Sequence, residues 1–466
     1  MTRALGLEGP MSRTALWALL GTLLGVVAIA LPELGSDPWP FRPGAVEPEG
    51  PLAPLVRAAG GEWDVGIARA VCFGAGLLVA LLGAIAPRRR SCSAWGGVTL
   101  VLFVTLALSL PSVLLQIGLR ASTAEWFFTN DSTYQIELAG DLLVDGESPY
   151  GHDFSRSGME RFYTLDGTAS ERVREREVAL EHYAYFPGTA ITSAAWRAIT
   201  PGSAGDYRLF VLLATLGGLF AALAFRAPLG WRLALGAFAA ANPVALRSVW
   251  FGQNDAPSIT LTVLAFALVT RGRYRWAVAS LAGAILLKQF ALVALPFLAL
   301  MLVNHAVDRS ELKRVAAVFV GTVAAGVLPF LIADPGAFWA DTVEYGAGTY
   351  KIVGYGLSGM LVRTGIVEDR EGAYPFAVIA LLTWLPLTVW LLYQQRRLRE
   401  AWLGPLGFSI SLLVLLFIGR TFNNYYLVWP MTGAVAAALA YLGETPSRAG
   451  PPAEPPRRLA ATGLRP

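Results

Sequence analysis

Residues Ala256 to Lys288 run APSITLTVLAFALVTRGRYRWAVASLAGAILLK, two apolar stretches separated by Arg271, Arg273 and Arg275. Two such runs joined by an arginine loop form a membrane hairpin. Lys and Arg are retained on the cytoplasmic side, so the loop is expected there. The hairpin then delivers Gln253, Asn254 and Asp255 at its start and Lys288 at its end to the same external face.

Outward from this hairpin the pattern repeats. Apolar runs fall at Thr14–Leu31, Gly66–Ala86, Trp95–Ile117, Tyr207–Phe225, Trp231–Val249 and Ala256–Thr270. They continue at Trp276–Lys288, Phe290–Asn304, Val315–Ala333, Ala373–Gln394, Ala401–Ile418 and Tyr426–Tyr441. Several are shorter than the ~20 residues of a perpendicular span. Arginines recur in alternate short loops: Arg88–Arg90, Arg226 with Arg232, Arg309 to Arg314, and Arg396, Arg397 and Arg399. With Arg3 and Arg13 before the first run and Arg448 to Arg465 after the last, both termini are expected to be cytoplasmic. Of the 33 acidic residues only Glu8, Asp308, Glu311, Glu400, Glu444 and Glu454 then fall inside.

Composition agrees. Of 466 residues 55% are hydrophobic and 15% charged, against about 25% charged in a soluble domain. Mean hydropathy is +0.51. The net charge of +4 is spread along the chain and argues against a nucleic-acid partner. Cys72 and Cys92 do not form a disulfide framework. The first apolar run is long enough to span and lacks a cleavage signal. The expectation is an all-α polytopic bundle of about twelve transmembrane helices in the plasma membrane. Residues 1–94 form an N-terminal helix pair, 95–443 a catalytic module, and 444–466 a disordered cytoplasmic tail.

Phe186–Thr200 is apolar but short, and counting it as a span would put every later arginine cluster outside. It is expected to lie in the outer interface, which makes residues 119–206 one external segment. Loops between membrane helices are usually short, so a segment of this size suggests function. It contains Thr129-Asn130-Asp131-Ser132-Thr133-Tyr134, where Asn130 or Asp131 can cap a helix running to about Val144. A turn follows at Asp145–Tyr150, then a charged stretch at Glu171–Glu181 with opposite charges at helical spacing. Tyr183-Ala184-Tyr185-Phe186-Pro187-Gly188 leads into the interfacial helix. Two more polar elements flank spans on the external side. One is Arg247 to Asp255, the other Arg420-Thr421-Phe422-Asn423-Asn424-Tyr425-Tyr426.

Each of these has a plain structural alternative. Asp131 can simply cap a helix, Lys288 can snorkel to the interface, and Gln253 to Asp255 can be an ordinary turn. Tyr150, Tyr183, Tyr185 and Trp250 can be an aromatic belt. His152, His182 and His305 lack ligand spacing, so no metal site is expected.

Together the motifs resemble the GT-C superfamily of membrane glycosyltransferases. Asp131-Ser-Thr-Tyr134 with Gly146-Glu-Ser-Pro-Tyr150 resembles the first external loop of bacterial polyprenyl-phosphomannose-dependent α-mannosyltransferases. In that family an early Asp is the catalytic base. Tyr185-Phe186-Pro187-Gly188 resembles their Tyr-Pro-Pro-Leu element, with Gly188 departing from it. Gly252-Gln253-Asn254-Asp255 and Lys288-Gln289 also resemble dolichyl-phosphoglucose glucosyltransferases. The resemblance implies inverting transfer of a hexose, with mannose expected, from a polyprenyl-phosphate sugar to a glycolipid, glycan or protein hydroxyl. It implies Asp131 as general base; independently of it, a lipid-anchored donor brings its phosphate to the interface, where Lys288, Arg247 or Arg420 can pair with it. Tyr134, Tyr150, Tyr185, Gln253, Asn254, Asp255, Gln289 and Asn423 would bind substrate. No cofactor is called for beyond the lipid-linked donor, and membrane lipids are the surroundings. The rival classes are a transporter or lipid or polysaccharide flippase, and a polysaccharide polymerase or ligase.

Overall fold

In a computed structural model, residues 113–121 in part, 129–163, 180–200, 202–241, 245, 249, 252–305, 307–349, 352–370 and 372–444 are described. The first two expected spans, most of the third, Arg247, most of the Glu171–Glu181 stretch and the C-terminal tail lie outside these residues.

Among the described residues of the segment expected to be external stand α1 (Asp131–Val144) and α2 (Pro187–Ile199). The following apolar runs are helices α3 (Tyr207–Leu223), α4 (Leu229–Ala241), α5 (Ala256–Thr270) and α6 (Tyr274–Leu287). A 3-10 turn at Gln289–Val293 leads into α7 (Ala294–Asn304), then α8 (Arg309–Ala333). Short α9 (Pro335–Trp339) passes into a π-helical turn at Ala340–Thr349 and α10 (Leu357–Arg363). The chain closes with α11 (Phe376–Leu382), α12 (Trp384–Leu398), α13 (Leu403–Ile418) and α14 (Val428–Glu444). The strand content among the described residues is one parallel pair, β1 (Val353–Gly354) and β2 (Thr421–Phe422), with Val353 opposite Thr421.

Local chemistry explains the breaks. The expected span Ala373–Gln394 is interrupted at Thr383 between α11 and α12. Pro386 lacks an N–H for the Leu382 carbonyl and its ring crowds that turn. The hairpin helices are shorter than full spans. The 14 residues of α6 rise only about 21 Å at 1.5 Å each, against a hydrocarbon core of about 30 Å. Lys288 follows in an extended conformation before the 3-10 turn. Irregular backbone of this kind is tolerated at membrane depth where protein surrounds it.

The arginine loops do gather at one end. Arg271 donates from Nε to the Ala224 carbonyl and from Nη2 to that of Phe225 (2.9 Å), and Arg232 donates to the Leu223 carbonyl (2.7 Å). Arg275 pairs with Glu311 (2.7 Å), Arg396 donates to Asn304 (3.3 Å), and Glu444 accepts from the Ala401 N–H (2.6 Å). The main core lies between α5, α6, α7, α13 and α14, around Phe266, Leu281, Phe297, Leu412 and Trp429. A second core, around Tyr134, Tyr150, Phe154, Tyr183 and Tyr207, underlies the external segment at the opposite end.

The outside is apolar. Val320 and Ile332 on α8, and Val378, Leu382, Val389 and Trp390 on α11 and α12, are exposed. Among the described residues three helical stretches, Arg309–Ala333, Phe376–Leu398 and Tyr425–Glu444, are long and apolar enough to cross a membrane. Meanwhile Arg208, Glu137, Asp206, Asp255 and Lys288 are buried. A mostly helical structure with apolar faces outward and charges within is built for lipid.

Candidate active site

At the end opposite the arginine loops, five separate pieces of chain meet. The first is the start of α1. Asn130, not Asp131, is its cap: the Asn130 Oδ1 accepts from the Thr133 N–H at 2.8 Å. Asp131 is therefore released from that duty and stands in the first turn, its Oδ1 accepting from the Ser132 N–H at 2.7 Å. The competing carboxylate Asp141 is bound to Arg197 of α2 (2.6 and 2.9 Å), and Asp145 closes α1 as an exposed cap.

The second piece is the turn before α5. Gly252 has φ +97°, and its carbonyl accepts a hydrogen bond from the Thr133 hydroxyl of α1. A Cβ at Gly252 would lie 2.6 Å from the Thr133 Oγ1, so only glycine allows this approach. Asp255 accepts from the Trp429 indole N–H at 2.9 Å.

Lys288 is the third. It is buried rather than snorkelling, which corrects the plainer expectation for it. Its Nζ donates to Asn254 Oδ1 at 3.0 Å, faces Asp255 Oδ1 at 3.5 Å, and lies 5.2 Å from the Tyr185 ring centre and 5.7 Å from that of Phe290. Next to it, Gln289 donates to the Ala184 carbonyl at 3.0 Å.

The fourth is the Tyr183–Gly188 element. A Cβ at Gly188 would sit 2.6 Å from the Leu286 carbonyl oxygen, which explains the departure from leucine at this position. The close approach brings Tyr185 over Lys288. Burial first, and the nearby Asp131 carboxylate second, push the Tyr185 pKa well above the ordinary value. Tyr185 thus remains a neutral donor beside Asp131. The fifth piece supplies Tyr425, whose phenol lies near both Asp255 and Asp131, and which accepts from Asn423 Nδ2 at 3.2 Å.

Three buried polar atoms here find no protein partner among the described residues: Asn130 Nδ2, Asn254 Nδ2 and Asp255 Oδ2. Buried groups of this kind are nearly always satisfied; two of the three are N–H donors, and Asn254 also takes the Lys288 ammonium on its oxygen. A ligand oxygen would satisfy the two donors, and a ligand hydroxyl the Asp255 oxygen.

Other sequence candidates sit elsewhere. The Tyr134 hydroxyl donates to the Ser157 carbonyl (2.6 Å) and the Tyr150 hydroxyl to the Tyr185 carbonyl (2.9 Å). Tyr150 therefore shapes the site through the Tyr185 backbone. Arg420 donates to the Gly372 carbonyl at 3.5 Å and lies beside Tyr374. Gln253 is buried in the turn.

Sequence reasoning missed a buried ion cluster that anchors α1. Arg120 bonds both Glu137 (2.5 Å) and Asp206 (2.9 Å), and Arg208 bonds Asp206 (2.7 Å). Burial opposes the charge on Asp206, but the two guanidiniums prevail and hold its carboxyl below the usual range. It also missed the pairing of His182 with Asp341 (2.7 Å). Asp206 and Arg208 are neighbours, but no local signal joins them to Arg120 and Glu137, or His182 to Asp341.

An apolar helical bundle with a carboxylate, a cation and orphaned donors gathered at one end defines a membrane protein with a polar site at that end. Residues 183–419 match the family model of glycosyltransferase family 87, just over half of the chain. The chain belongs to glycosyltransferase family 87, a GT-C-type family, and is a membrane glycosyltransferase. The matched span holds Tyr185, Asn254, Asp255 and Lys288. Asp131 precedes it, and Arg420 and Asn423 follow it. No curated protein and no solved structure matches the chain.

Proposed function

We propose that this glycosyltransferase moves a hexose, mannose foremost, from a polyprenyl-phosphate sugar to a glycolipid, glycan or protein hydroxyl on the external face of the plasma membrane. Both termini lie inside, and about twelve helices cross. The observation that carries the proposal is the convergence of Asp131 and Lys288 on Tyr185, at the end of the bundle opposite the arginine loops. Positive loops belong to the cytoplasmic side, which puts this site outside. α2, too short to span, lies along the outer interface.

A lipid-anchored donor carries its phosphate at the interface. Lys288, with the orphaned amides of Asn130 and Asn254, offers cationic and N–H contacts to that phosphate. Arg247 and Arg420 are held to be further cations along its path. Asp131 takes the proton from the acceptor hydroxyl as its oxygen attacks the anomeric carbon. The bond to phosphate breaks, the electron pair leaves with the phosphate oxygen, and Lys288 stabilises the charge that develops there. A single displacement inverts a β-linked donor to an α-glycoside. Metal is not required by these residues.

Asp131→Asn tests the assignment. The amide keeps size and cannot accept the proton, and Asn130 already caps α1, so folding is spared. Sugar transfer by the purified protein should fall by at least about 10²-fold, the usual worth of a general base, with donor binding retained. Wild-type turnover by this variant would dismiss Asp131 as the base.

A further inference from the structure

The reaction above leaves one organised group of side chains beside the site without a task. The π-helical turn at Ala340–Thr349, an element often found at functional sites, buries Asp341. Both oxygens of Asp341 are engaged: Oδ1 with His182 Nδ1 at 2.7 Å and Oδ2 with the Gly151 N–H at 2.9 Å. A carboxylate that only accepts keeps the proton of a neutral imidazole on Nδ1, and so leaves Nε2 as a lone-pair acceptor. The His182 side chain is 28% exposed while that of Asp341 is 2% exposed. The ring stacks on Tyr345 with centres 4.8 Å apart, and the His182 carbonyl accepts from Gln135 Nε2 of α1 at 2.9 Å. Gln135 stands one helical turn beyond Asp131. The Tyr345 phenol lies within electrostatic reach of both Asp131 and Asp341, which sets the dyad on the same side as the proposed base.

This arrangement does not suit the donor phosphate. The Asp341 carboxylate stands at the heart of this pair, and phosphate belongs with Lys288. It suits a neutral polyol that presents several O–H donors. We propose that His182, oriented by Asp341, binds the acceptor. Its Nε2 accepts a hydrogen bond from a second hydroxyl of an acceptor pyranoside whose reacting hydroxyl faces Asp131. The inference rests on the glycosyltransferase reading above and deepens it: the acceptor is a sugar, not a peptide hydroxyl.

Binding tests this without the natural acceptor. The full chain in lipid nanodiscs, free of glycoside detergent, is titrated with octyl α-mannoside, octyl α-glucoside and octyl α-galactoside, with octanol as control. Saturation-transfer NMR and calorimetry read the binding. At least one hexoside should bind wild type. His182→Ala should weaken it about tenfold, the worth of one hydrogen bond. His182→Gln, which keeps an acceptor oxygen, should recover part of the loss and covers the case in which the alanine variant misfolds. Asp341→Asn should also weaken binding, and hexoside should shift the His182 Nε2 ¹⁵N signal of wild type, a change that a purely structural pair would not produce. Failure of every hexoside to bind wild type below about 10 mM overturns the proposal. So does wild-type affinity in a folded His182→Ala or His182→Gln protein. Loss of transfer in Asp131→Asn alongside that result would retire His182 and leave the glycosyltransferase reading standing.

Discussion

Replacing Lys288 with Met removes the cation that faces Asp255 at 3.5 Å and donates to Asn254 at 3.0 Å. Both partners are buried, and Asp255 Oδ2 has no other protein partner among the described residues. Breaking a buried pair costs roughly 3–5 kcal/mol because the remaining charge is stranded. The 3.5 Å separation is loose, and the Trp429 indole still donates to Asp255, so about 3 kcal/mol is expected. Asp255→Asn in the same background removes the stranded charge and keeps an acceptor for Trp429. The double variant should therefore recover most of the loss, a coupling of about 2–3 kcal/mol. Thermal midpoints of the two single variants, the double variant and wild type supply the cycle, and turnover of a short-chain polyprenyl-phosphate sugar supplies the activity. Stability should return in the double variant and activity should not, because the donor phosphate has lost its cation. Restored transfer would mean that Lys288 serves only to neutralise Asp255, and the phosphate assignment would fall.

Glu137→Gln takes one carboxylate from the Arg120–Glu137–Asp206–Arg208 cluster and should cost about 3 kcal/mol, seen as a lower thermal midpoint. Asp206 has a folded pKa below its unfolded value near 4. Its contribution should be full above that value and be lost only as pH falls through the lower folded pKa, which acid unfolding of wild type and Asp206→Asn would compare. Gly252→Ala forces a side chain into φ +97° and against Thr133. It should cost about 1–3 kcal/mol and lower transfer as well, because the turn carrying Asn254 and Asp255 moves off α1. In a background lacking Cys72 and Cys92, cysteines at positions 131 and 423 should react with an impermeant reagent from outside. Those at 273 and 397 should not, and labelling of position 273 would reverse the membrane orientation.

Helix positions were legible in the sequence to a surprising depth of detail only where the signal is contiguous. Ala256–Thr270 is a helix between those same residues, and the interfacial run expected at Phe186–Thr200 is helical over Pro187–Ile199. An unbroken apolar run, or a cluster of arginines at its end, is a property of neighbouring residues and survives any packing. The helix break at Lys288 and the Pro386 kink lie at the limit of such signals. The motifs around Asp131, Tyr185, Asn254 and Lys288 were visible as motifs, and a family match covering several of them agrees. Their roles were not visible. Whether Asp131 or Asn130 caps α1, whether Lys288 reaches outward or inward, and where Arg420 points depend on which surfaces meet.

Tertiary structure decided these points. It handed the cap to Asn130, turned Lys288 inward to Asn254 and Asp255, and drew Arg420 to Gly372. It engaged the Tyr134 and Tyr150 hydroxyls with backbone carbonyls. It also paired His182 with Asp341, 159 positions away in the chain. Sequence alone determined a membrane bundle, its arginine-rich end and the motifs that carry chemistry, because hydropathy and charge act locally. The choice of partner for each buried polar group belongs to packing, since burial makes an unpaired charge or donor costly and only the assembled fold shows which groups are close enough to satisfy one another.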